Sequence, residues 1–236
     1  MRSTLFLCSL LGAGIAAAEF KEAPIEDQNP EGVTYTATLP DKASTELRGS
    51  ISGTAGPGGE GVIFSVDFYG FPDEKEYGPF SYHIHDQPVP EDGNCTKTLA
   101  HLDPFARGED PPCDKDDPAT CQIGDLSGKY GSISDVANGK HFKAEYHDLY
   151  SSTRPGPAAF FGNRSVVVHM KNKTRISCAN FMQEPSYPGG NTTVAPTGVY
   201  PTGAPSPTIT QFPGSAARVG AGAVGVIVAG VAALVL

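Results

Sequence analysis

Residues 21–183 predict an all-β domain, a sandwich or a barrel, on three observations. Apolar residues come in short runs, Gly and Pro punctuate those runs, and no stretch keeps a helical period for long. The candidate strands, in order, are 32–39, 48–54, 61–68, 82–86, 139–146 and 165–170. Between 140 and 147 the alternation is clean: Phe142, Ala144 and Tyr146 share one face, and His141, Lys143, Glu145 and His147 the other. His141 and His147 are therefore read as solvent-facing residues and not as metal ligands. The long irregular stretch 87–132 carries Cys95, Cys113 and Cys121, and a loop of that length inside a compact domain is usually functional.

Both ends differ in kind from this middle. Residues 1–18 have an early charge at Arg2, an apolar run from Leu5 to Leu11 and Ala16-Ala17-Ala18 before Glu19, which reads as a secretory signal peptide. A cut after Ala18 removes Cys8 and leaves Cys95, Cys113, Cys121 and Cys178. Four cysteines permit three pairings, and spacing does not choose; a local clip of Cys113 to Cys121 with a longer tie of Cys95 to Cys178 is one of them. Residues 215–236 are small and apolar with no charge after Arg218, which reads as a GPI signal with attachment at Gly214, Gly203 being an upstream alternative. An ordinary membrane helix is the rival reading, and the missing basic cluster after the tail speaks against it. Between them, 185–214 is a stalk rich in Pro, Ser, Thr and Gly that cannot bury enough surface to fold. This leaves 19–184 as the folded domain. Sequons at Asn94, Asn163, Asn172 and Asn191 fit a secretory route. The net charge of -9, with no basic cluster, speaks against a nucleic-acid partner.

Chemistry concentrates in Tyr82-His83-Ile84-His85. Side chains alternate along a strand, so His83 and His85 face the same way and can grip one ion. Taken alone, such a pair is as readily a solvated strand face. With His101 and His169 it becomes a set of imidazoles suited to copper, zinc, iron or nickel rather than calcium or magnesium.

The ordered pieces Gly49-Ser50-Ile51-Ser52-Gly53, Tyr82-His83-Ile84-His85, Cys95, His101-Leu102-Asp103-Pro104, Gly124-Asp125-Leu126, Gly162-Asn163-Arg164-Ser165-Val166-Val167-Val168-His169 and Arg175-Ile176-Ser177-Cys178 resemble the copper-zinc superoxide dismutases. The resemblance runs from about Val33 to Cys178. It implies a Greek-key β-sandwich or barrel with a long disulfide-fastened loop. It implies His83, His85, His101 and His169 as ligands of one copper ion. Cys95–Cys178 is implied as the family's intrasubunit disulfide, and Arg175 as the arginine that guides superoxide. His101 and Arg175 would then be the residues that take part in turnover.

Two departures narrow the resemblance. The zinc ligands of the family are missing: no histidine occurs between His101 and His141, and Gln122 stands three residues before Asp125 where the family has a histidine. One aspartate and one histidine do not make a tetrahedral zinc site, so no zinc is expected. The interval from His169 to Arg175 is also short, where the familiar enzymes insert a long charged loop. Both features are similar to the fungal copper-only superoxide dismutases of the cell surface, in which a glutamate often occupies the Gln122 position. Without zinc, another group must hold the far nitrogen of His101, and Asp125 is the first candidate and Glu109 the second. The resemblance implies an enzyme acting on superoxide; the signal and the tail add an extracellular place with an anchor to membrane or wall glucan, and a monomer is expected. A surface protein that buffers copper without turnover is the alternative.

Overall fold

The computed structural model describes residues 21–185. The signal peptide, the stalk beyond Pro185, Asn191 and Gly214 lie outside the described residues. Among the described residues no helix is long and apolar enough to cross a membrane.

Eight strands form two antiparallel sheets. They are β1 (Thr34–Thr38), β2 (Arg48–Ala55), β3 (Val62–Tyr69), β4 (Ser81–His85), β5 (Phe142–Asp148), β6 (Ser165–His169), β7 (Arg175–Asn180) and β8 (Met182–Gln183). The larger sheet runs β5-β3-β2-β1-β8 and the smaller β4-β6-β7. Two short helices, α1 (Glu74–Tyr77) and α2 (Leu126–Tyr130), sit in the connections.

Alternation explains the layers. In β3, Val62, Phe64, Val66 and Phe68 are buried while Ser65 and Tyr69 are exposed. They meet Tyr82 and Ile84 of β4 and Val166 and Val168 of β6 in one core. The Phe68 and Tyr82 rings cross edge to face at 5.9 Å, and the Tyr82 hydroxyl donates to the Tyr146 hydroxyl at 3.0 Å, so both contacts span the two sheets. Burying each such side chain contributes about 1.5–3 kcal/mol. All five residues of β6 are buried because it lies between β4 and β7.

The expected strands appear with shifted ends. β5 begins at Phe142 and not at residue 139, because Asn138 (φ 59°) and Gly139 (φ 76°) form a turn. His141 and His147 are exposed, His141 bonded to Asp67 at 2.6 Å and His147 to the Glu60 carbonyl at 2.7 Å. β7 and β8 lie outside the expected set. β7 reads Arg-Ile-Ser-Cys-Ala-Asn, too small and polar to signal a strand, yet it pairs along β6.

Two features bring the long loop to the small sheet. Cys95–Cys178 ties it to β7, and Cys113–Cys121 closes a local ring within it. Closer in, Leu102 N donates to Ile84 O at 2.8 Å, Ile84 N to Gly124 O at 2.9 Å, and Gly124 N to Leu102 O at 2.9 Å. Two loop segments are thus laid against the middle of β4. Behind them, the fully buried Lys129 ammonium bonds the Asp148 carboxylate and the Ile123 carbonyl, fixing α2 to the end of β5.

Gly124 leaves no room for a side chain: an added Cβ would lie 2.1 Å from Ile84 O. Gly124→Ala is expected to cost about 1–3 kcal/mol in equilibrium unfolding, as overpacking against backbone does. An unchanged midpoint would show that the loop can shift away.

Candidate metal centre

The centre grows out of strand periodicity. Tyr82 and Ile84 point into the core, so His83 and His85 point to the opposite face of β4. β6 pairs with β4 so that Ser81 opposes His169 and His83 opposes Val167, which puts His169 on that same face. His101 arrives from the loop, paired with His85 by an isolated bridge beside the Ile84 contacts. One ring nitrogen from each of the four histidines lies within 4.8 Å of the others. Among the described residues this is the one group of three or more His, Cys, Asp or Glu side chains so gathered.

Three of the four rings are held in place by a hydrogen bond from the far nitrogen. His85 Nδ1 donates to Leu99 O at 2.9 Å and His169 Nδ1 to Lys173 O at 3.3 Å. A carbonyl accepts only, so these nitrogens carry the proton and the Nε2 atoms are bare. Those two bare Nε2 atoms lie 3.2 Å apart. Two lone pairs that close repel unless a cation lies between them. Two nitrogens bound to one ion at ~2.0–2.1 Å would be separated by roughly 2.9–3.3 Å. The His83 Nδ1 atom is buried with no hydrogen-bond partner, while its Nε2 lies 3.5 Å from Asp125 Oδ1. His101 Nδ1 meets Gln122 Oε1 at 2.7 Å. Four lone pairs therefore converge on one point, and the donor set fits a borderline transition metal such as copper.

Asp125 and Glu109 do not hold the far nitrogen of His101. Asp125 is turned to His83 and caps α2 by accepting from Gly128 N at 2.8 Å. Glu109 is exposed on the loop and pairs with Lys173 at 3.0 Å. The partner of His101 is Gln122, whose chain position alone gives no hint of the contact, because the hydrogen bond crosses 21 residues of irregular loop. The carbonyls of Leu99 and Lys173 were equally invisible, since any residue offers one.

The centre floors an open cleft of about 490 Å³ whose rim includes Arg107, Glu109, Lys171, Lys173 and Arg175. Arg175 is partly buried at the first position of β7. Its guanidinium donates to the Cys95 carbonyl, to Thr98 Oγ1 at 2.9 Å and to Leu99 O at 2.6 Å. Sequon residues Asn94, Asn163 and Asn172 are exposed.

Burial holds the rings of His83, His85 and His169 below the ordinary imidazole range, His85 at about 3 and His169 at about 4, with the neighbouring His101 adding to it. An unfolded chain titrates its histidines near ~6.5. Between these values the unfolded state binds more protons than the folded one, so stability rises with pH across that window. The metal-free protein is therefore expected to lose stability as pH falls from about 6.5 to about 4, read as a falling denaturant midpoint. A flat profile would show that the rings are solvated in the metal-free state.

No family model matches the chain. A cell-surface Cu-only superoxide dismutase of Arthroderma benhamiae is 44% identical over 221 residues, 83% of this chain and 58% of that relative, which is under two thirds of its length. Cell-surface Cu-only superoxide dismutase 5 of Candida albicans is 33% identical over 178 residues, covering 74% of this chain and 72% of that one. A solved Cu(II) structure of superoxide dismutase 5 from Candida albicans matches with a TM-score of 0.58 at 33% identity, over 68% of this chain and 98% of that one. With its two antiparallel sheets, its converging histidines and these relatives, the chain belongs to the family of cell-surface Cu-only superoxide dismutases.

Proposed function

We propose that the protein is an extracellular superoxide dismutase that works with one copper ion and without zinc. The observation that carries this reading is the convergence of four histidines, three of them held from behind by hydrogen bonds, at the floor of a cleft with cationic side chains on its rim. Bound copper would supply the electron transfer, so that two superoxide ions and two protons become dioxygen and hydrogen peroxide. His83 through Nδ1, and His85, His101 and His169 through Nε2, would hold it. The neutral rings set the donor strength, and Leu99 O, Lys173 O and Gln122 fix their orientation.

Arg175 has a separate task. Its three acceptors belong to the turn fastened by Cys95–Cys178, so the guanidinium is fixed at the cleft and gathers the anionic substrate. Asp125, the one carboxylate that matches a zinc ligand of the bimetallic enzymes, lies against His83 and caps helix α2, which supports a reading without zinc. The reading extends to a glycolipid anchor at Gly214 that holds the domain at the membrane or on wall glucan, with Asn94, Asn163, Asn172 and Asn191 as glycan sites. One chain supplies all four histidines, so the reading needs no second subunit to complete the centre.

Protein reconstituted with copper alone, zinc excluded, is expected to dismute superoxide rapidly. Tight copper binding without turnover would replace this reading by copper buffering. Arg175→Ala is expected to keep its copper while kcat/KM falls by about tenfold, with a shallower dependence on ionic strength. Unchanged activity at low salt would remove Arg175 from substrate guidance.

A further inference from the structure

Gln122 lies between two groups of opposite demand. Its side chain is almost fully buried, with Oε1 at 2.7 Å from His101 Nδ1 and Nε2 at 3.0 Å from Asp103 Oδ2. A primary amide can present either end to a neighbour, but a carboxylate only accepts. Asp103 is itself held by two backbone donors, Arg107 N on Oδ1 at 2.9 Å and Gly108 N on Oδ2 at 2.8 Å. It cannot turn away from the amide. The NH2 end must therefore face Asp103, and the carbonyl end must face the ring. An amide oxygen cannot donate, so the ring donates from Nδ1 and leaves Nε2 bare toward the other three histidines.

We infer that Asp103 is a positioning residue for His101: it orients the Gln122 amide, and the oriented amide fixes which nitrogen of the ring is offered to the metal. The inference rests on the reading of His101 as a metal ligand and deepens it. It also gives Gln122 a defined part, because a glutamine anchored in this way does by orientation what a carboxylate, with two equivalent oxygens, would do without it. A carboxylate at position 122 would instead meet Asp103 at hydrogen-bond distance with no donor between them.

Long-range nitrogen–proton NMR correlations of the histidine rings in the metal-free protein read the tautomer directly. Wild type is expected to show His101 protonated at Nδ1. In Asp103→Ala the amide is free to turn, and both tautomers are expected, a loss of bias of about tenfold or more, as for a hydrogen bond to a charged acceptor. Cupric affinity, measured by competition with a chelator, is expected to fall by about tenfold with it. Adding Gln122→Glu to Asp103→Ala is expected to restore the Nδ1 proton, since a carboxylate needs no orienting. A His101 ring that keeps its tautomer in Asp103→Ala would overturn the inference, and so would a failure of Gln122→Glu to rescue it, which would trace the effect to the loss of the Arg107 and Gly108 contacts. Should the alanine variant not fold, Asp103→Leu, of similar size and with no acceptor for the amide, must also release the bias, and an unchanged ring would again overturn it. The metal-free rings report on positioning alone, whereas inactivity of the copper-loaded wild type would sink the dismutase reading and leave this one intact.

Discussion

Three backbone hydrogen bonds around Ile84 hold the arrangement together. Ile84 sends its side chain into the core and both its peptide groups to the edge away from β6, its carbonyl to Leu102 and its N–H to Gly124, which bond each other. Those partners are the neighbours of His101 and of Gln122 and Asp125, so the contacts that extend the sheet also bring the loop's polar side chains to the histidines of β4. The approach is so close that position 124 has no space for a side chain. A strand edge is ordinarily left to solvent or blunted by charge. Here it is covered by the loop that completes the centre.

A second economy lies in the Leu99 carbonyl, which accepts from both His85 Nδ1 and the Arg175 guanidinium. A ring of the histidine cluster and a cation at the cleft are hung from one oxygen. The Cys95–Cys178 bond secures the same turn, and Cys95 supplies another of the acceptors of Arg175. Displacement of this turn would disturb the orientation of the ring and the placing of the charge together.

What was legible in the sequence follows from how local each cause is. Period two along Tyr82-His83-Ile84-His85 placed two of the four clustered histidines on one face, because a strand offers no other arrangement. The alternation of residues 140–147 correctly kept His141 and His147 in solvent for the same reason. His101 sits in an irregular loop, and its place was legible only through the family resemblance. The partner of its far nitrogen was misread as Asp125, since charge drew attention to a carboxylate while the geometry gave the position to an amide. An aspartate in a Gly-Asp turn has backbone donors close by, and Asp125 satisfies one of them. β7 was missed because its stability comes from β6 beside it and from the disulfide, neither of which is written in its own six residues.

The rings that converge on the centre are all uncharged donors, and the groups behind three of them are two carbonyls and an amide. Two carboxylates line the same cleft, Asp125 beside His83 and Glu109 paired with Lys173. A divalent cation at the histidines would add its charge to that of Arg175 in this cleft, against those two carboxylates. Attraction of anions becomes a property that the protein acquires with its metal, and small anions of any kind should crowd the loaded cleft more than the empty one.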